Sequence, residues 1–473
     1  MTWSRALALA LFVALTGTLA AHHEPWRDEA DAWLMARDAG VGEVFGYAGY
    51  SGTPALWYLV QMPFAKAGAG YETQRYLHLL VAVAVAGLLL FRAPFPLGLR
   101  LALAFGYFLS FEYAVIARNY SAGILLCFVA LAMDRHRGRL APLYGLVLAL
   151  AANTSVHFLL FALAFALPLA WEARGDRAAA RRWLGVAVAG AGIGLAVWQL
   201  WPAPDGQFTP ELVPHVQIHR IRETLSQALV PHRTGFWTEV VGALAVGLTL
   251  ARLRTAPRAA FVFGLAGGGL LALFVVKYVA GARHFGLFLV AIVAAWWLAD
   301  GEPAASRRLL RHRVLAAGLC VVLLPSVLQA AHAWRREMRH AYSEAGDMAR
   351  FIESHRLERA WIAAHSPAPA SAVLAFLPRR AFWYPALGED GSHMKWDARY
   401  AAGRTATLGE VVTRVKARRP DWRDAEEPVL LLLNVPWPDA AAEGFRLLYR
   451  TPGRQWGPPD ETFHLYVPDR RQP

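Results

Sequence analysis

A short acidic motif follows the first apolar run of the sequence, and its residues are the best suited to chemistry. The segment His22–Trp33 holds four carboxylates within eight residues, Glu24, Asp28, Glu29 and Asp31. A carboxylate beside a membrane surface can act as general base on an acceptor hydroxyl group. The simpler alternative is that these acids only stabilise a helix N-terminus electrostatically. We favour the first hypothesis because arginine and histidine side chains are expected around the motif.

The motif is predicted to lie on a short helix outside the membrane. Pro25 suits the first turn of a helix, and Gly40 suits its end. By the 3.6-residue period, one face of this helix contains Trp26, Ala30, Trp33 and Arg37. We expect the two tryptophans at the lipid interface. Asp28 lies on the opposite side and Glu29 flanks the tryptophan face, so these adjacent acids are expected to have different roles.

Ionisable side chains recur at one end of the apolar runs and are almost absent from their middles. Charged groups inside a bilayer are costly, and where they occur they usually serve a function. A transporter is expected to hold such groups near the bilayer midplane, whereas a shallow ring predicts an enzyme acting at the membrane surface. The predicted ring contains Arg75, His78, Glu112, Arg118, His157, Glu239, Lys277, Arg283 and His284.

Long apolar runs must position these residues, because a bilayer core needs roughly 20 apolar residues in helical form. The predicted membrane-spanning segments are 5–20, 75–91, 98–111, 118–133, 140–152, 156–171, 183–201, 235–251, 259–278, 285–299 and 314–331. Many spans follow the first, so it is interpreted as an uncleaved helix, not a signal peptide. The predicted fold class is a polytopic α-helical membrane protein with about 11 transmembrane helices and a small C-terminal α/β domain.

Arginine clusters between the runs predict the orientation. With a cytoplasmic N-terminus, every cluster falls on the cytoplasmic side, as the positive-inside rule requires. The apolar run Thr53–Gly68 would invert this pattern if it crossed the membrane. We therefore place it at the outer interface, within an external loop covering residues 21–74.

The composition changes after the last span. Residues 1–334 are assigned to a transmembrane catalytic domain, and residues 335–473 to a soluble domain on the external side. Ser343 is predicted to cap a helix there. Short apolar runs predict strands over Val429–Leu433, Phe445–Tyr449 and Phe463–Val467.

Composition and charge exclude several classes of protein. Of 473 residues, 56% are hydrophobic, which is too apolar for one soluble core. The net charge of +13 comes largely from arginine clusters between apolar runs, a topology signal that argues against nucleic-acid binding. Cys127 and Cys320 lie inside apolar runs, so neither a disulfide framework nor a cysteine metal site is expected.

Four features of the sequence together resemble the GT-C superfamily of membrane glycosyltransferases. They are the acidic pair Asp28–Glu29, the Gly-Thr-Pro-x-Leu-Trp-Tyr segment Gly52–Tyr58, the Ala-Arg-Asn-Tyr stretch Ala117–Tyr120 and the soluble C-terminal domain. Within that superfamily, they look like the bacterial protein mannosyltransferase and aminoarabinose transferase type. The resemblance covers about the first 160 residues, and the Glu-Pro-Trp-Arg sequence directly before Asp28 departs from the family pattern.

The resemblance implies an inverting sugar transfer from a polyprenyl-phosphate donor at the outer face of a bacterial inner membrane. It makes Asp28 the catalytic base and Glu29 the second acid of the pair. The departing lipid phosphate needs fixed cations or donors, and arginine binds phosphate through two N–H groups. The residues assigned to the donor phosphate are Arg118 first, then Arg283 and His284, with Tyr120 and Lys277. Lipid-headgroup contact is the alternative for Arg118 and Lys277.

Further residues are assigned around this centre. Glu24, Glu112 and His157 are expected to contact the acceptor or to support the site. No cofactor is required, although His23, Glu24, Asp28 and His157 have ligand types that suit a divalent metal. The expected partners are the polyprenyl-phosphate-linked sugar, membrane lipids and an acceptor that is a protein, a lipid or a glycan.

Two rival hypotheses remain open. A polysaccharide polymerase or ligase would use cations of the long external loop 202–234, which holds His215, His219, Arg220, Arg222, His232 and Arg233. This loop could also cover the site as a basic lid, or contact anionic headgroups. A non-enzymatic transporter or scaffold would tolerate changes throughout the ionisable ring.

Overall fold

The computed structural model describes residues 2–175, 180–207, 217–277, 280–301, 309–378 and 381–469. The helices up to residue 301 are α1 (Thr2–His22), α2 (Arg27–Asp38), α3 (Val41–Ser51), α4 (Leu56–Lys66), α5 (Glu72–Arg92), α6 (Leu97–Ala104), α7 (Tyr120–Met133), α8 (Ala141–Ala152), α9 (Val156–Arg174), α10 (Ala180–Gln199), α11 (His219–Gln227), α12 (Phe236–Leu253), α13 (Pro257–Val276) and α14 (Ala282–Ala299). A π-helix covers Phe108–Glu112, and a 3₁₀ turn covers Asp134–His136.

The C-terminal third adds six helices and a sheet. The helices are α15 (Leu309–Val322), α16 (Leu324–Glu337), α17 (Ala345–Ser354), α18 (Pro367–Phe376), α19 (Ala398–Gly403) and α20 (Leu408–Arg418). The strands are β1 (Trp361–Ala364), β2 (Phe382–Tyr384), β3 (Glu389–Gly391), β4 (Val429–Leu433), β5 (Phe445–Arg450) and β6 (His464–Pro468).

Eight helical segments are long and apolar enough to cross a membrane, so the protein is membrane-embedded. Among the described residues they are Trp3–His22, Glu72–Arg92, Val156–Arg174, Ala180–Gln199, Phe236–Leu253, Pro257–Val276, Ala282–Ala299 and His312–Glu337. The last combines α15 and α16, which meet at a one-residue turn. Each of the eight coincides with a predicted span.

The predicted count of eleven spans is not confirmed, because three predicted runs form shorter helices. The run 98–111 is divided between α6 and the π-helix. The run 118–133 forms the 14-residue α7, and the run 140–152 forms the 12-residue α8. At 1.5 Å per residue these two helices are about 21 and 18 Å long, less than the roughly 30 Å of a bilayer core. Within Thr53–Gly68 the helix α4 has only 11 residues, which suits the predicted interfacial position.

The C-terminal domain is built on a six-stranded mixed sheet with the order β3-β2-β1-β4-β6-β5. Strand β1 pairs in parallel with β2 and β4, and the other pairs are antiparallel. The strands predicted at β4, β5 and β6 are confirmed to within one residue. The predicted helix cap at Ser343 is wrong by one position, because Glu344 is the N-cap residue of α17.

One apolar core joins the C-terminal domain to the helices that follow the first span. Trp33 of α2 lies in the same buried cluster as Met348 of α17 and Val373 of α18. The prediction that Trp26 and Trp33 face lipid is therefore wrong, since their exposed fractions are 8% and 2%. The apolar face of α2 contacts protein, and α2 is fixed between the helix bundle and the sheet domain.

Candidate functional site

Helix α2 begins where the acidic motif was predicted, but its ends are shifted. Pro25 precedes the N-cap residue Trp26, and the helix ends at Asp38, before Gly40. The backbone N–H of Trp26 donates to Glu29 Oε2 at 3.3 Å, which caps the first turn. Asp28 and Glu29 are neighbours in this turn and point in different directions, so they have separate sets of partners.

Asp28 forms ion pairs with two arginines that are distant in sequence. Its Oδ2 atom lies 2.8 Å from Arg118 Nη1 and 3.0 Å from Arg283 Nη2. Arg118 also donates to the Asp28 backbone carbonyl at 3.0 Å. Burial alone would raise the pKa of Asp28, but the two guanidinium groups outweigh it and lower that pKa below its usual value. The predicted base and the two foremost predicted phosphate ligands are thus in direct contact.

Glu29 is buried in a second network that holds the Arg118 loop. Its Oε1 accepts from the backbone N–H of Ala117 at 2.6 Å, and its Oε2 lies 2.9 Å from His23 Nε2. His23 Nδ1 lies 2.9 Å from Glu337 at the end of α16. Burial alone would lower the pKa of His23, but the two glutamates outweigh it and raise that pKa to about 10. Glu29 is therefore placed to position the residue before Arg118.

A cavity of about 210 Å³ surrounds Asp28 at the end of the bundle that contacts the C-terminal domain. Helix α2 contributes Asp28 and Asp31 to its wall. The C-terminal domain contributes Met394 and Trp396, which sequence analysis missed because they have no local signal linking them to α2. The full lining is Asp28, Asp31, Ala32, Ser51, Thr53, Trp57, Tyr58, Arg118, Asn119, Arg283, Met394 and Trp396.

Asp31 is the second carboxylate in this cavity, and its surroundings differ from those of Asp28. It accepts hydrogen bonds from the Tyr47 hydroxyl and from the Met394 backbone N–H, both at 2.8 Å. Burial raises the pKa of Asp31 above its usual value despite these bonds. The same bonds tie the 393–396 segment of the sheet domain to α2, so the cavity is assembled from both parts of the molecule.

Three aromatic side chains continue the site into the helix bundle. Tyr120 Oη lies 2.8 Å from His284 Nε2, and the His284 ring stacks on His157 at 5.2 Å between centroids. His284 Nδ1 accepts from the Gly281 backbone N–H at 2.9 Å, so in a neutral ring Nε2 carries the proton and donates to Tyr120. The Arg118 guanidinium lies 5.9 Å from the centre of the Tyr120 ring. Predicted residues from three separate helix ends are therefore contiguous.

Comparison with protein-family models and with curated proteins finds no match for this chain. Its chemistry is therefore inferred from the geometry of the site. Two guanidinium groups and two carboxylates line a cavity at the end of membrane helices, an arrangement that suits an anionic group beside a hydroxyl group.

Other predicted residues lie outside the lining of this cavity. Glu24 accepts from the Asp347 backbone N–H at 3.1 Å, at the start of α17. Glu112 accepts from the Tyr107 hydroxyl at 2.9 Å. Lys277 is the C-cap residue directly after α13 and is not among the lining residues. The structure brings none of these three to the Asp28 carboxylate.

The candidate metal ligands are also separated. Among the described residues, no group of three or more histidine, cysteine or carboxylate side chains could hold a metal ion. His23 lies between Glu29 and Glu337, which contact opposite nitrogens of its ring and therefore do not converge on one point. The site has no described set of residues that fits a metal.

Three of the six candidate side chains of the loop 202–234 have partners outside the Asp28 cavity. Arg220 pairs with Glu223 at 2.6 Å, and Arg222 pairs with Glu239 at 2.9 Å. His232 lies 2.8 Å from the Tyr107 hydroxyl. His215 lies outside the described residues, and His219 and Arg233 are not among the residues that line the Asp28 cavity.

Proposed function

We propose that the protein is an inverting glycosyltransferase that moves a sugar from a polyprenyl-phosphate donor to an acceptor hydroxyl group. The observation that supports this most is the contact of Asp28 with both Arg118 and Arg283 in one cavity. The cavity lies where α14 begins, next to the start of a membrane span. A lipid-linked donor can keep its chain in the bilayer while its phosphate reaches the two arginines.

In the proposed reaction Asp28 accepts the proton of the acceptor hydroxyl group. The acceptor oxygen then bonds to the anomeric carbon, and the bond from that carbon to the phosphate oxygen breaks. The polyprenyl phosphate leaves with the electron pair, and Arg118 and Arg283 stabilise its negative charge. Attack on the side opposite the phosphate inverts the configuration at the anomeric carbon.

The ion pairs of Asp28 also explain how its basicity can depend on the donor. In the structure the two guanidinium groups lower the pKa of Asp28, which makes it a weak base. A donor phosphate competes for the same guanidinium groups and reduces the positive potential at Asp28. Binding of the donor phosphate is therefore expected to raise the pKa of Asp28 and to make it a stronger base.

The other residues of the site have supporting roles in this proposal. Tyr120 and His284 extend the hydrogen-bonding surface toward the leaving phosphate, and Glu29 positions the Arg118 loop. We place the cavity and the C-terminal domain on the external side of a bacterial inner membrane, with the N-terminus in the cytoplasm. The positive-inside distribution of arginine supports this orientation.

The first test is sugar transfer in purified membranes supplied with radiolabelled polyprenyl-phosphate sugars. We expect Asp28→Asn to lower transfer by about 10²–10⁴-fold, the usual contribution of a general base. Asp38→Asn is the matched control, because Asp38 lies on the same helix and pairs with Arg37, outside the cavity lining.

Three results would overturn all or part of this proposal. Equal transfer by wild type and Asp28→Asn would exclude Asp28 as the base, and loss of transfer in Asp31→Asn alone would move that role to Asp31. An absence of transfer from every donor tested would overturn the glycosyltransferase proposal and favour a transporter or scaffold.

A further inference from the structure

A second cavity, of about 370 Å³, lies at the opposite end of the helix bundle. Helix α5 gives the distance between the two cavities. Gln74 in its first turn donates to the carbonyl of Glu29, the neighbour of Asp28, and its last residue, Arg92, lines the second cavity. At 1.5 Å per residue, the distance between them is about 27 Å, close to the thickness of a bilayer core. The cavity lining is Phe91, Arg92, Ala93, Pro94, Arg100, Leu131, Ala132, Asp134, Arg135, His136, Trp297, Leu298 and Gly301.

Three arginines in this lining supply positive charge from three different elements. Arg100 is only 7% exposed, and its Nε and Nη1 atoms donate to the carbonyls of Phe95 and Leu90 at 2.7 and 2.6 Å. These bonds fix the plane of its guanidinium group. Arg92 is exposed at the end of α5, and Arg135 is exposed in the 3₁₀ turn that follows α7. The charge of Arg5 repels that of Arg100 and adds to the positive potential.

The nearby carboxylates form their ion pairs with other arginines. Asp134, which lines the cavity, pairs with Arg137 at 3.3 Å and also with Arg258. Asp300 pairs with Arg252. Within the described part of the chain, no carboxylate forms an ion pair with Arg92, Arg100 or Arg135. The lining therefore holds three arginines and one carboxylate, Asp134, which is already paired with two other arginines.

The lining also has an apolar part, which lies close to lipid. Phe91 is 39% exposed on the surface of the membrane helix α5, beside Arg92. Leu131, Trp297 and Leu298 form buried parts of the lining. A free inorganic anion would gain nothing from such walls, whereas a phospholipid has an anionic headgroup next to an apolar glycerol and acyl region. Basic pockets between membrane helices bind anionic headgroups for this reason.

We propose that this cavity is a binding site for the phosphate group of an anionic phospholipid. Arg100 and Arg135 would donate to the phosphate, Arg92 would add positive charge at the entrance, and the first acyl carbons would contact Phe91 and Trp297. The site lies about one bilayer thickness from Asp28. It depends on none of the chemistry proposed there.

The test is thermal unfolding of the purified full-length chain in neutral detergent micelles, titrated with phosphatidylglycerol or phosphatidylcholine. We expect phosphatidylglycerol, but not phosphatidylcholine, to raise the unfolding midpoint of the wild type. Arg92→Gln combined with Arg135→Gln should need about thirtyfold more phosphatidylglycerol for half of the effect, since each cation near an anionic lipid contributes about fivefold. Arg139→Gln combined with Arg254→Gln removes two exposed charges near the same bundle end and should behave as wild type.

A second variant separates the cavity from surface charge. Ala132→Trp keeps every arginine and fills the cavity from its half-buried wall, so it should also lose the phosphatidylglycerol response. Equal weakening in both double variants, or an unchanged response in Ala132→Trp, would overturn the proposal. An equal stabilisation of the wild type by inorganic phosphate or by phosphatidylcholine would also overturn it, because the ligand would then not be an anionic lipid.

Discussion

His23 is a buried cation that depends on two carboxylates for its charge. Glu29 and Glu337 hold its pKa at about 10, above the unfolded value of 6.5. A raised pKa stabilises the fold fully below pH 6.5, and this stabilisation is lost as the pH rises through about 10. We therefore expect wild-type stability to fall by roughly 1.4 kcal/mol per pH unit between these values, apart from other titrating groups.

The measurement is the thermal unfolding midpoint in detergent at pH 7 and pH 9. His23→Gln should lower the midpoint at pH 7, since it leaves two buried glutamates without a cation, a loss of about 3 kcal/mol. The variant should also lack the wild-type decrease between pH 7 and pH 9. His22→Gln is the control, because His22 is exposed and its Nδ1 atom lies 2.9 Å from the Thr18 carbonyl oxygen. If His23→Gln and His22→Gln have the same midpoints, the His23 network does not stabilise the fold.

Helices α8 and α10 approach each other so closely that glycine is required at their contact. A Cβ atom on Gly145 would lie 2.1 Å from the Gly185 carbonyl oxygen, and one on Gly192 would lie 2.2 Å from Ala149 Cβ. Small residues allow this approach of membrane helix backbones. Gly145→Ala should therefore destabilise the protein by about 1–3 kcal/mol, measured as a lower thermal unfolding midpoint.

Gly190 provides the matched control for this prediction. It lies on α10, and a Cβ atom there would meet nothing within 4 Å. Gly190→Ala should leave stability unchanged or raise it slightly, because alanine favours helix more than glycine does. Similar destabilisation by both substitutions would show that the cost arises from helix propensity or backbone change and not from the contact.

Helices and strands whose hydrophobic pattern extends over several consecutive residues could be predicted from the sequence. The shortest strands could not. The eight long apolar helices and the strand β4, with five consecutive buried residues, carry that signal within one segment. Strands β2 and β3 have three residues each and pair through the sheet, so their own residues give no period to detect. The apolar face of α2 was visible, but periodicity cannot distinguish a face that contacts lipid from one that contacts the sheet domain.

The whole molecule determines which predicted residues meet. The sequence places Asp28, Arg118 and Arg283 at the external ends of different segments. This predicts that they lie at the same depth in the membrane, but it does not predict which of them form ion pairs. Their convergence on one carboxylate oxygen depends on how α2, α14 and the loop before α7 pack together. Met394 and Trp396, more than 360 residues after Asp28, complete the same cavity. No local sequence pattern indicates a contact between segments so far apart.

The 393–396 segment of the C-terminal domain separates two cavities through its alternating side chains. Met394 and Trp396 line the Asp28 cavity, whereas His393 and Lys395 line a neighbouring cavity of about 610 Å³. On the proposed function, Trp396 is placed to contact a sugar ring or acceptor bound beside Asp28. Trp396→Ala should therefore reduce kcat/KM for sugar transfer about tenfold, which corresponds to roughly 1.4 kcal/mol of lost contact.

Lys395→Ala is the matched control, because Lys395 is the adjacent residue and lies 4.6 Å from the Tyr50 ring on the other side of the segment. It should change kcat/KM less than Trp396→Ala does, while both variants keep the wild-type unfolding midpoint to within a few degrees. An equal loss of transfer in both variants would mean that the segment acts only by holding the two parts of the molecule together. A selective loss in Trp396→Ala would mean that the sheet domain contributes a contact to the substrate, so that neither the helix bundle nor the sheet domain contains a complete site.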